Sequence, residues 1–128
     1  MAKKVLIVDD DVDLVEAVEM LLEAKGYVVI SANNGEEGFK MAKAQSPDLI
    51  LLDAIMLHQS EGFETARNLK NDKATENIPV VMLTGIKKEM GLPFGFKPDE
   101  DWLPVKAVLE KPVKQGLLLK TVEEFIRK

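Results

Sequence analysis

The chain has no cysteine, which rules out a disulfide frame and any thiolate metal site. Positive charge is in short supply. Lysine and arginine number 17 against 22 acids, a net charge of −5, and this argues against a non-specific grip on nucleic acid or anionic lipid, since both need a basic patch. Long apolar runs are missing too. No stretch approaches the length of a membrane span, and the apolar run 5–8 behind the basic start Met1-Ala2-Lys3-Lys4 is too short for a signal peptide and ends in acids. No repeat, low-complexity tract or linker divides the chain. With 128 residues, 46% of them apolar and 30% charged, it reads as one acidic, cytoplasmic domain long enough for a single core.

The most informative stretch is Asp48-Leu49-Ile50-Leu51-Leu52-Asp53. Four apolar residues in a row suit a parallel strand covered on both faces. Asp53 stands where the run stops, which places it at the strand's carboxyl end, the end where open α/β sheets bind ligands. Two other stretches reach the same edge. Lys4–Val8 is a short, β-branched first strand followed by Asp9, Asp10 and Asp11, and Leu109-Glu110 closes a last strand before Lys111-Pro112.

Between these stretches, apolar residues recur at helical spacing. Leu14, Val15, Val18, Leu21 and Leu22 give a first helix, with Asp11 as its cap and Gly26 as its stop. A second strand covers 27–31. Asn34 and Glu37 resemble a capping box opening a second helix that carries Phe39, Met41, Ala42 and Ala44, weakened by Gly38 by about 1 kcal/mol and ended by Ser46-Pro47. Phe63, Ala66 and Leu69 mark a third helix over 62–71, and 78–84 is an almost wholly apolar fourth strand. Gly85, Gly91, Pro93, Gly95, Pro98 and Pro104 then break the rhythm, leaving room for single turns at 87–90 and 98–102. A final strand over 105–110 precedes a closing helix with Leu117, Leu118, Val122, Phe125 and Ile126 on its apolar face. Strands alternating with helices predict a doubly wound α/β fold with a parallel sheet.

Taken singly, the polar residues at the strand ends have ordinary readings. Acids after a strand cap helices, a strand-end aspartate forms turns, a threonine there is a strand or turn residue, and a lysine before proline is a solvated charge. Together, Val8-Asp9-Asp10, Leu52-Asp53, Leu83-Thr84-Gly85 and Lys111-Pro112 resemble the four signature positions of response-regulator receiver domains, the phosphoacceptor modules of two-component signalling. The resemblance runs strand by strand over essentially the whole chain. It implies a flavodoxin-like, five-stranded parallel sheet in the order 2-1-3-4-5, here with an irregular or shortened fourth helix.

The resemblance also implies a site. Asp53 is the phosphoacceptor, with Thr84 and Lys111 as its catalytic companions. Mg2+ is the cofactor, held by Asp10 directly, by Asp9 largely through water, by Asp53 and by the backbone carbonyl of Ile55. A hard cation with oxygen ligands suits such a set, because an aspartate attacking a phosphoryl group brings two anions together. Lys111 pairs with a phosphoryl oxygen as a point charge, Thr84 hydrogen-bonds the phosphoryl group, and the Lys111-Pro112 bond is expected in cis.

Four departures from the family pattern stand out. The loop Ala54-Ile55-Met56-Leu57-His58-Gln59-Ser60-Glu61-Gly62 has Leu57 where the family usually has proline, and one extra residue before the glycine. Ile55 and Ile86, two residues after Asp53 and Thr84, are apolar where polar groups often orient water, so slow self-dephosphorylation is expected. Val108 replaces the usual aromatic switch three residues before the lysine. The 85–104 stretch suggests a non-standard output face with Phe94, Phe96 and Trp102. His58, the only histidine, is assigned no role, and Trp102 is read first as a packing residue.

The expected partners are a sensor histidine kinase or phosphotransfer protein and an output protein, with no direct contact to nucleic acid or membrane. The protein is expected to be a monomer or a phosphorylation-dependent dimer. It is not an enzyme beyond its own phosphorylation and dephosphorylation. A stand-alone regulator, a relay intermediate and a receiver cut from a longer chain all fit. The competing reading is a degenerate receiver, an interaction module that never takes phosphate. A phosphohydrolase is disfavoured because Ile55 stands where its second acid belongs. A dinucleotide site is disfavoured because acids, not G-x-G-x-x-G, follow the first strand.

Overall fold

The computed structural model of the chain describes residues 2–54, 61–85 and 104–127. Five strands form one parallel sheet: β1 (Lys4–Val8), β2 (Val28–Ala32), β3 (Leu49–Asp53), β4 (Val80–Thr84) and β5 (Ala107–Glu110), in the order β2-β1-β3-β4-β5. Four helices accompany them among the described residues: α1 (Val12–Glu23), α2 (Gly35–Gln45), α3 (Glu61–Lys70) and α4 (Gln115–Phe125). The doubly wound sheet and its strand order match the expectation from sequence. The irregular fourth helix, Ile55, Leu57, His58, Ile86, Phe94, Phe96 and Trp102 lie outside the described residues.

Every residue of β3 and β4 is buried, which accounts for their unbroken apolar runs: both faces of the sheet are covered. Alternate residues serve two cores. Leu6, Val8, Ile50, Leu52, Val80 and Met82 meet Ala42 of α2 and Phe63, Ala66 and Leu69 of α3. Val5, Ile7, Leu49, Leu51, Val81 and Leu83 meet Val18 and Leu22 of α1, Leu118 and Val122 of α4, and Ile126 just past its end. A fully buried leucine or isoleucine contributes about 1.5–3 kcal/mol, so the two layers clamp the strands firmly.

The register then fixes the site. Val8 pairs with Leu52, and Asp53 pairs with Leu83, so one residue beyond Val8 brings Asp9 level with Asp53. Thr84 pairs with Glu110, which puts Lys111 just past the end of the same edge.

The element ends differ from the sequence reading where backbone groups are already engaged. Gly26, at φ +91°, donates to Glu23 O at 3.0 Å, and Tyr27 N–H reaches Leu22 O at 3.2 Å. This is a Schellman-type closure that uses the left-handed freedom of glycine and takes Tyr27 for the helix, so β2 begins at Val28. Ile78 N–H closes a turn on Thr75 O and Pro79 has no donor, so β4 starts at Val80 rather than at 78. The apolar face of α4 is also narrower than expected. Leu118, Val122 and Ile126 are buried one turn apart, whereas Leu117 lies about 100° off that stripe and is 48% exposed. Among the described residues, no helix is long and apolar enough to cross a membrane.

Candidate functional site: an acid pocket with one lysine

The three consecutive aspartates after β1 do three different things. Asp9 is buried, and its backbone N–H makes the last bond to β2, to Ala32 O at 3.1 Å. Its carboxylate is held at both oxygens: Oδ1 accepts from Asp11 N–H at 2.9 Å and Oδ2 accepts from Lys111 Nζ at 2.9 Å. Asp10 is exposed at the rim. Asp11 caps α1, its Oδ1 accepting from Leu14 N–H at 3.2 Å. Capping and acid-pocket roles, alternatives for the run as a whole, are thus divided among its members.

Asp53, at the end of β3, is 3% exposed and closes the pocket from the centre of the sheet. One oxygen each from Asp9, Asp10 and Asp53 lies within 4.8 Å of the others. Lys111 Nζ stands 3.3 Å from Asp53 Oδ1 as well as 2.9 Å from Asp9, with its side chain only 22% exposed. Burial alone would push the Lys111 ammonium down. The hydrogen bond to Asp9 and the charges of Asp53 and Asp9 outweigh it, so its pKa is held above the ordinary lysine value. Three carboxylates and one ammonium leave two negative charges in the pocket. Oxygen-only donors with that residual charge fit a hard divalent cation.

The lysine is aimed by its backbone. Lys111 N–H donates to Thr84 O at 2.7 Å, extending the β4–β5 ladder by one bond, and the Lys111–Pro112 peptide is cis, as the resemblance implied. Thr84 is buried at the same edge, and Gly85 lies beside the lysine's aliphatic stem, 3.9 Å from Cδ to an ideal Cβ. Asp9, Asp10, Asp53, Thr84 and Lys111 therefore gather at the carboxyl ends of β1, β3, β4 and β5. Ile55, the remaining expected ligand, falls outside the described residues.

One shaping residue escaped the sequence reading. Gly62, in the first turn of α3, donates its N–H to Ala54 O at 3.1 Å. A Cβ there would run into the carbonyl oxygens of Asp53 and Ala54 and lie 2.6 Å from Ala54 Cα. The helix thus presses directly on the backbone that carries Asp53. A glycine just inside a helix start, facing a strand end, was the available signal. Val108, expected as the missing aromatic, is partly buried and packs against the core on the α2–α3 side.

The profile of the family described as "Response regulator receiver domain" matches residues 5–123. The alkaline phosphatase synthesis transcriptional regulatory protein PhoP of Bacillus subtilis is 38% identical over 123 residues, an alignment covering 87% of this chain and 50% of PhoP. The chain thus spans half the length of that relative. Protein PilH of Pseudomonas aeruginosa is 33% identical, with 96% of this chain and 97% of PilH covered. Among solved structures, the chemotaxis response regulator CheY4 of Vibrio cholerae superposes with a TM-score of 0.81 at 26% identity, covering 98% of this chain and all of that one. Sequence, fold and the residues gathered at the sheet edge agree: the chain belongs to the response regulator receiver domain family.

Proposed function

We propose that the chain accepts a phosphoryl group on Asp53 from a phosphohistidine donor and answers with a change of partner affinity. The observation that carries this reading is the buried carboxylate of Asp53 at the sheet edge, within 3.3 Å of Lys111 and beside Asp9 and Asp10. An Asp53 oxygen attacks phosphorus, the phosphorus–nitrogen bond of the donor breaks, and the imidazole nitrogen leaves with the electron pair. Lys111 supplies a fixed positive charge to the phosphoryl oxygens, and the Thr84 hydroxyl, buried at the same edge, is the group that would donate a hydrogen bond to them. Such positioned charges are the main source of catalysis in phosphoryl transfer. Asp9, Asp10 and Asp53, with the Ile55 carbonyl, are the residues that would hold Mg2+. When bound, it neutralises the anions that transfer brings together.

In this reading the residues act as one receiver domain of the cytoplasm. The chemistry is confined to the chain's own carboxylate, so the protein is not a turnover enzyme. The donor is a sensor histidine kinase or a phosphotransfer protein, and the output is a protein partner rather than nucleic acid or membrane. Ile55 and Ile86 carry no group able to orient a water, so the acyl phosphate decays slowly. Phosphorus NMR after incubation with acetyl phosphate tests both parts. An acyl-phosphate resonance that needs Mg2+ and outlasts that of the Ile55→Asn/Ile86→Glu double variant supports the reading. A resonance that decays no more slowly than in the double variant removes the claim of slow loss. No resonance, together with no Mg2+ binding, turns the site into that of a phosphate-independent interaction module.

A further inference from the structure

We propose that Asn34 is a deamidation site whose reaction is gated by the first turn of α2. Of the asparagines in the chain (Asn33, Asn34, Asn68, Asn71 and Asn77), only Asn34 is followed by glycine. Deamidation begins when the backbone nitrogen of the next residue attacks the side-chain amide carbon, and a glycine puts no side chain in the way. Gly35 N gives up its proton to base and bonds to Asn34 Cγ. The Cγ–Nδ2 bond breaks, and that nitrogen takes up a proton and leaves as ammonia. Water then opens the cyclic imide. Breaking the new bond at Cγ leaves an aspartate at position 34 in an ordinary backbone. Breaking the original peptide bond instead leaves an isoaspartate, with the chain running through Cβ and Cγ.

The folded chain holds the first step closed. Asn34 is the N-cap of α2, with extended backbone at φ −151° and ψ 171°. Its Oδ1 accepts from Glu37 N–H at 2.9 Å, and its backbone O accepts from Gly38 N–H at 2.9 Å. To bring Gly35 N onto Cγ, the side chain must turn away from Glu37. The Asn34 ψ must also leave its extended value, which swings the carbonyl off Gly38. Both bonds therefore open before the ring closes. Gly35 is buried, so base reaches its N–H in that opened state. A helix end opens at lower cost than the whole domain, and the reaction runs through the frayed turn rather than through global unfolding. The products differ. Aspartate ranks with asparagine as a helix cap and its charge suits a helix N-terminus, so that product keeps α2. Isoaspartate moves its carboxylate off Glu37 N–H and lengthens the link from α2 back to Ala32, whose O holds Asp9 N–H at 3.1 Å.

The test is peptide mapping by mass spectrometry of the whole chain kept in mildly alkaline buffer, native and in urea strong enough to unfold it. In urea, Asn34 is expected to gain the mass of an amide-to-acid exchange before any other asparagine. Gly35→Ala, which need not fold for this comparison, should slow it there. In the native chain the same conversion is expected about tenfold or more slowly, set by opening of the turn. Glu37→Pro removes the capping donor at a first-turn position that tolerates proline, and should raise the native rate several-fold. After chromatographic separation, the aspartate product should unfold in urea no earlier than the parent and match Asn34→Asp, whereas the isoaspartate product should unfold earlier. Equal rates in the native and unfolded chain overturn the gate, a comparison that stands even if Glu37→Pro does not fold. A native rate unchanged in a folded Glu37→Pro does the same. Earlier conversion at another asparagine, or none at Asn34 in the native chain after prolonged incubation, overturns the site.

Discussion

Lys111→Met isolates the electrostatics of the pocket. Methionine keeps most of the stem and removes the ammonium, which sits 2.9 Å from Asp9 and 3.3 Å from Asp53. Those two carboxylate side chains are 0% and 5% exposed, so the substitution leaves two buried anions beside Asp10 without their cation. Removing one partner of a buried pair costs about 3–5 kcal/mol, and the lower end applies because the lysine is 22% exposed. With a urea m-value of about 1.5 kcal/mol/M, a loss of about 3 kcal/mol moves the midpoint down by about 2 M. The assay is urea unfolding followed by circular dichroism, in chelator and in excess Mg2+. A divalent ion takes over the neutralising role of the lysine, so the variant should gain more from Mg2+ than the parent does. Because the folded Lys111 pKa is raised, its contribution is complete below the unfolded lysine pKa and is lost only as pH climbs through the raised value. The gap between parent and variant should therefore be constant across neutral pH and close only in strong alkali. A midpoint shift below about 0.5 M in chelator, or a gap that Mg2+ does not narrow, refutes the argument.

Other substitutions probe other links. Gly62→Ala forces a methyl into the Asp53 and Ala54 carbonyls and should cost about 1–3 kcal/mol in chemical denaturation, with reduced phosphorylation of Asp53 by acetyl phosphate. Leu118→Ala should cost about 2–5 kcal/mol, whereas Leu117→Gln, one position away, should stay within about 0.5 kcal/mol in the same assay. The Asp72 carboxyl is held below its usual value by the Ala74 N–H and by Lys43. Its contribution is thus present above the unfolded aspartate pKa and lost as pH falls through the depressed folded value, and Asp72→Asn should flatten that part of the acid-unfolding profile.

The sheet was legible because both its faces are covered: Leu49 to Leu52 and Val80 to Leu83 are written as unbroken apolar runs, as strands buried on both faces require. The carboxyl-end aspartates followed from where those runs stop. Element ends were less legible, since they depend on which backbone groups a turn has already used, as at Tyr27 and Pro79. Helix propensity sees only the cost of Gly38, whereas the close approach of its backbone to Val8, thirty residues away in sequence, is visible only in the fold. Leu117 misled because hydrophobicity does not by itself say which side of a stripe a residue occupies. The aim of Lys111 came from the family resemblance, and the physical cause visible in the structure is its N–H bond to Thr84 O at the end of the sheet.

The central claim is that this pocket makes Asp53 a phosphoacceptor. Intact-mass spectrometry of the chain after incubation with acetyl phosphate tests it most directly, with Asp53→Asn and Mg2+-free samples alongside. A single phosphoryl adduct that disappears in both controls is the predicted result. An adduct that survives Asp53→Asn, or none in the parent when Mg2+ is present, would contradict the account.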